Sequence, residues 1–150
     1  MTQKKQVELS ECPVARALEV IGDKWTLMII RDAFDGIKRF GEFQKNLGLA
    51  KNILSVRLKS LTSLGLLEIL PASDGSAYKE YALTEKGRDL FPIIVVFRQW
   101  GEKYMFEVGE KLSILVDTKN SKPLNIIRVQ SSTGMLITPQ DCHRNVIIKK

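Results

Sequence analysis

Few side chains in this 150-residue sequence have the type and spacing to do chemistry together. Six bases (Lys38, Arg39, Lys45, Lys51, Arg57 and Lys59) and one acid (Glu42) lie between residues 38 and 59, so +5 of the total charge of +6 sits there. The rest of the chain is nearly neutral. Such a stretch is either a solvated basic face or an electrostatic footprint for a polyanion.

Spacing narrows the choice. At 100° per residue, Lys51, Asn52, Ser55, Val56, Lys59, Thr62 and Ser63 share one arc of about 140°, and Ile53, Leu54, Leu58, Leu61 and Leu64 fill the opposite side. A helix over 50–64 would bury a leucine stripe and present Lys, Asn and Ser outward. Asn addresses adenine with two hydrogen bonds, and Lys addresses guanine or a phosphate. Lys51, Asn52 and Ser55 would lie nearest the base edges of a major groove, with Lys59 further along the same face. Arg57 projects into the leucine arc and reads as a structural arginine, paired with a carboxylate or laid along the helix. Lys38 and Arg39 stand just before another helix, whose N-terminus adds its own partial positive charge, and read as phosphate contacts. Ser76 and Lys79, at a polar hairpin tip, are further phosphate candidates, although Asp74 and Glu80 dilute the attraction there.

The remaining reactive residues are sparse. Cys142 and His143 are adjacent, but zinc needs more soft ligands, and His143 is the sole histidine. Cys12 is the only other thiol. It falls at the start of a helix, whose positive end favours a thiolate; packing as a small apolar residue is the alternative. No Gly-rich phosphate loop, no Walker sequence and no nucleophile elbow is present. The expectation is a protein that is not an enzyme and has no metal and no cofactor.

The elements that must position the basic face follow from punctuation. Residues 1–11 read as a polar arm. Pro13 suits a first helical position, and Val14, Ala17, Leu18 and Ile21 share a face. Gly22 ends that helix and Asp23 caps the next, Lys24 to about Phe34, with Trp25, Met28, Ile29 and Ala33 inward. A short third helix over 39–47 buries Phe40, Phe43 and Leu47 and stops at Gly48; the fourth ends at Gly65. The period then changes. Leu66–Leu70 and Tyr78–Leu83 are strands joined through Asp74-Gly75, a β-hairpin. Thr84 caps a long helix carrying Leu90, Ile93, Phe97, Trp100 and Tyr104, with a bend at Pro92. Its apolar residues cover more of its circumference than one small core needs, which points to a second buried contact such as a dimer seam. Beyond it, 112–116, 124–129, 135–137 and 146–148 read as strands. The fold class expected is mainly α with a small β-hairpin wing, a winged helix-turn-helix over 10–105, followed by a β-rich C-terminal extension over 106–150.

Cys12-Pro13-Val14, Ile21-Gly22-Asp23-Lys24-Trp25, Arg39-Phe40-Gly41-Glu42-Phe43, Leu54-Ser55-Val56-Arg57-Leu58 through Leu64-Gly65-Leu66, and Tyr81-Ala82-Leu83-Thr84-Glu85-Lys86-Gly87 followed by Trp100-Gly101 together resemble the HxlR family of winged-helix transcriptional regulators. The resemblance covers about residues 10–105; Phe43 stands where an aliphatic residue is commoner. It implies a homodimeric DNA-binding regulator, related in fold to the MarR group, in which the first and last core helices build the dimer. It also implies that Cys12, at a position where such regulators can carry a cysteine sensor, responds to oxidants or electrophiles. The expected partners are double-stranded DNA, a second copy of the chain and an unidentified small-molecule effector. A winged-helix module that meets an acidic protein is the competing reading. No apolar run approaches the ~20 residues of a membrane span, no secretory h-region opens the chain, and two cysteines suit a reducing cytoplasm.

Overall fold

The computed structural model describes residues 9–150, and the reading of 1–8 as part of a polar arm lies outside them. After a single 3-10 turn at Leu9–Glu11 come four helices, α1 (Pro13–Ile21), α2 (Lys24–Phe34), α3 (Phe40–Leu47) and α4 (Lys51–Ser63). Their limits are set by the residues that punctuate the sequence. The Asp23 carboxylate accepts hydrogen bonds from Trp25 N at 2.7 Å and Thr26 N at 3.2 Å, capping α2. Gly48 closes α3 at a φ of 64°, a conformation that favours glycine. Neither α3 nor α4 has a side-chain N-cap.

The strands β1 (Leu67–Pro71) and β2 (Lys79–Leu83) then pair antiparallel, with Leu67 opposite Leu83 and Pro71 opposite Lys79. The Tyr81 N–H donates to the Lys38 carbonyl at 2.8 Å, tying the wing to the segment ahead of α3. Ile29, Ile30, Phe43, Leu54, Leu58, Leu61, Leu66 and Leu67 make the core of this unit, which ends at Ile94. Phe43 meets the edge of Tyr81, ring centres 6.5 Å apart. On α2 the buried positions are Thr26, Ile29, Ile30 and Asp32, while Trp25, Met28 and Ala33 are half-buried.

Two expectations are corrected. The long helix after Thr84 is two helices, α5 (Glu85–Arg88) and α6 (Phe91–Tyr104). Pro92 has no N–H to continue a helix that comes from before it, and it occupies the first turn of a new one instead. The second correction concerns the C-terminal unit, Val95–Lys150. Residues 106–150 contain no strand; two isolated bridges, Val116 to Pro123 and Gln130 to Leu136, close two turns, and a 3-10 turn follows at Pro139–Asp141. The reason is local. Asp117, Asn120 and Ser131 side chains accept from backbone N–H groups two to four residues on, in competition with a ladder, and Pro123 offers no donor.

Two glycines leave no room for a side chain: at Gly22 a Cβ would lie 2.3 Å from the Leu18 carbonyl oxygen, where α1 ends. A Cβ on Gly87 would lie 2.2 Å from the Leu66 carbonyl oxygen, so α5 can approach the end of the helix-to-wing turn only without a side chain. Gly87→Ala is expected to lower stability by roughly 1–3 kcal/mol, read as a lower midpoint in thermal melts with the helical spectrum retained.

Candidate nucleic-acid interface

α4 is pinned on one side by Leu54, Leu58 and Leu61, all buried, and Lys51, Asn52, Ser55 and Lys59 all point to solvent. The outward arc is rotated from the one projected at the sequence level. Ile53 is 41% exposed and Leu64 36%, although both were placed on the buried side; Val56 is 66% exposed and Ser60 is open too. The exposed face therefore runs from Ser55 through Lys59, Asn52 and Val56 to Ile53, and Lys51 joins it because α4 begins there. Val56 lies on the outward arc as projected and Ile53 does not, and neither was among the expected contacts. Apolar side chains between donors suit thymine methyl groups. Their signal in the sequence was a branched aliphatic pair not needed by the leucine stripe.

Arg57 pairs with Asp23 at 2.6 Å, the carboxylate alternative read for it. Arg39 is committed elsewhere as well. Its guanidinium lies 2.5 Å from Asp74 and 3.7 Å from Glu80, and stacks 5.2 Å from the centre of the Tyr78 ring. Glu80, nearly buried, accepts from the N–H and hydroxyl of Ser73 at 3.1 and 2.9 Å. The structure thus brings Arg39 to the wing tip, where its charge meets two carboxylates. Lys38, Ser76 and Lys79 leave their side chains exposed, and the Ser76 N–H donates to Asp74 at 2.9 Å.

Hydrogen bonds from Ser76 and then from Arg39 hold the Asp74 carboxyl well below the usual carboxylate range. Glu80 is lowered by Ser73, and Arg39 is raised by Asp74. For carboxyls depressed on folding, the stabilisation is complete above the unfolded-state pKa and is lost as pH falls through the folded one. The clamp therefore holds through the neutral and mildly acidic range. In a carboxyl-carbon NMR titration, Asp74 is expected to remain ionised near about pH 4, where an unperturbed Asp is about half protonated.

Cys12 caps α1, its Sγ accepting from Ala15 N at 3.5 Å, and is half-buried; Cys142 is exposed, and both are free thiols. Among the described residues no three of His, Cys, Asp and Glu cluster to hold a metal, and no helix is long and apolar enough to cross a membrane.

A three-helix core leading into an exposed donor-bearing helix and a two-stranded wing is the winged helix-turn-helix arrangement, and known proteins share it. Residues 20–108 match the HxlR-like helix-turn-helix family. The HTH-type transcriptional regulator MT3179 of Mycobacterium tuberculosis (strain CDC 1551 / Oshkosh) is 51% identical over 92 residues, 61% of this chain and 58% of that protein, so the match spans less than two thirds of the relative. The crystal structure of PA1607 superposes with a TM-score of 0.87 at 48% identity, over 91% of this chain and 95% of that one. The redox regulator HypR in its oxidised form has a TM-score of 0.57 at 35% identity, over 65% of this chain and 100% of its own. With the family match covering more than half of the sequence, the chain belongs to the HxlR-like helix-turn-helix family.

Proposed function

We propose that this protein is a transcriptional regulator that binds double-stranded DNA as a homodimer. The observation that carries the reading is α4: a leucine stripe fixes it on the core while Lys51, Asn52, Ser55 and Lys59 face outward in one row. In the proposed complex α4 enters the major groove with its first turn at the base edges. Lys38, Ser76 and Lys79 meet phosphates. Arg39 serves at one remove, holding the wing tip through Asp74 and Glu80 so that Lys79 and Ser76 are presented. Dimerisation is supported by apolar faces left open on α1 (Val14 and Leu18) and on α6 (Phe97, Trp100 and Tyr104). A two-fold dimer matches a palindromic operator with half-sites about one helical turn apart.

The test is a salt titration against DNA from the region beside the gene. The logarithm of the binding constant is expected to fall linearly with that of salt, with a slope of about −0.9 per phosphate neutralised. A chain that protects no DNA even at low salt is instead a module for an acidic protein partner.

A second layer is favoured by Cys12. Its place at the start of α1, half-buried, and the likeness to HypR support control by oxidation of this thiol. Diamide is expected to weaken operator binding by the wild type and to leave Cys12→Ser unaffected. Equal loss in both would remove Cys12 from the mechanism.

A further inference from the structure

The side chain at the centre of the outward face of α4 is not a hydrogen-bond donor. The buried residues of this helix are Leu54, Leu58 and Leu61. At 100° per residue, the direction opposite to them falls between Val56 and Ser63, with Asn52 a little to one side and Ser60 further to the other. Ser63 ends the helix, so in its middle turns Val56 stands most directly away from the core. It is 66% exposed, Ile53 one turn before it is 41% exposed, and neither forms part of the core cluster. A β-branched residue costs helix stability relative to Ala. At Val56 no burial in the core offsets that cost.

Its neighbour on that face is Asn52, one turn earlier and about 6 Å away along the axis, less than two base-pair steps of about 3.4 Å. The chemistry of the two side chains matches one kind of base pair. An Asn amide bonds N6 and N7 of adenine together, and an aliphatic group meets the 5-methyl of thymine; the major-groove edge of an A·T pair presents both. Against a G·C pair the Val56 isopropyl group would cover guanine O6 or the cytosine amino group and leave it without a hydrogen bond, which is unfavourable. The commonest reader of guanine is an arginine or lysine. The one arginine of α4, Arg57, is held by Asp23 at 2.6 Å, and Lys51 and Lys59 lie to one side of Asn52 and Val56, which keep the middle of the face.

We propose that Val56 is a specificity-determining residue: it packs on a thymine 5-methyl group beside an adenine bonded by Asn52, so that each half-site carries adjacent A·T pairs under the middle of α4. Ile53 extends the same apolar strip. The inference rests on α4 as the helix that reads DNA and deepens that reading by naming the bases. The test begins with duplexes selected by the full chain from a random pool. Each thymine of the selected half-site is then replaced in turn by deoxyuridine, which removes the methyl group and nothing else, and competition binding at fixed salt is measured for the wild type and for Val56→Ala. For the wild type, one position per half-site is expected to be sensitive, by roughly fourfold for one methyl group and roughly fifteenfold with both half-sites changed. Val56→Ala, with its helical circular dichroism unchanged, is expected to bind the thymine and deoxyuridine duplexes alike. A wild type that binds no duplex, or binds all of them equally, overturns α4 as the reading helix. A wild type that selects a sequence but is indifferent to deoxyuridine at every position, or selects G·C pairs at the centre of the half-site, overturns the role of Val56 alone, and this comparison needs no variant. A deoxyuridine penalty that persists undiminished in Val56→Ala does the same, since the methyl group then meets another side chain.

Discussion

A chain carrying Lys51→Ala and Asn52→Ala is expected to fold normally and to bind its operator little better than unrelated DNA. Both side chains are exposed on the first turn of α4, and neither takes part in the core. Ala is also a better helix former than either, so helix content should not fall. Each base-edge contact discriminates by roughly 1–3 kcal/mol. Losing both should remove roughly 2–6 kcal/mol, at least about a thirtyfold loss of preference. Competition binding between operator and scrambled duplexes at fixed salt reads the ratio directly. Lys59→Ala provides the contrast: it should weaken every duplex about equally and make the salt slope shallower by about one. If the double variant keeps its preference, α4 is not the reading helix.

The largest expected loss of stability comes from Arg31→Leu. Asp32 is fully buried, and its carboxylate is held by Arg31 through Nε at 3.0 Å and Nη2 at 2.6 Å, and by the Asn46 amide at 2.8 Å. The cluster joins α2 to α3. Removing the arginine leaves a buried carboxylate with one neutral donor. Breaking a buried pair from one side costs about 3–5 kcal/mol. Partial exposure of Arg31 and the surviving Asn46 bond place this case near the lower figure. The melting midpoint should fall by roughly 10–20 °C. Replacing both members, Arg31→Leu with Asp32→Leu, removes the stranded charge and is expected to recover most of the loss. A double variant as unstable as the single one would mean that packing, not charge, dominates at this site.

The first four helices could be read from the sequence because each is bounded by a residue with a local physical effect: Pro13, Gly22-Asp23, Asp35-Gly36, Gly48 and Gly65. The hairpin was legible for the same reason. What stayed hidden depends on partners distant in sequence. Arg39 stands 35 residues from Asp74, and nothing in its own neighbourhood separates a wing clamp from a phosphate contact. Asp32 lies among apolar residues of α2 with no sign that Asn46 would reach it. Periodicity located the buried stripe of α4 but not its centre. Leu54, Leu58 and Leu61 alone face the core, and with Leu64 counted among them the projected arc turned away from Ile53. The extension misled because branched residues between turns resemble strands whether or not a neighbour exists to pair with them.

Asp23 serves two helices with one carboxylate. Oδ1 caps α2 through Trp25 and Thr26, and Oδ2 grips Arg57 at the middle of α4. Mechanically this is a strut: the bend between α1 and α2 and the shaft of α4 are pinned at one point. A tilt of α1 that displaces this bend is then transmitted as torque on α4, turning its outward row of side chains with a lever arm of about half the helix. The protein then needs no separate transmission between its first helix and the helix proposed to face DNA.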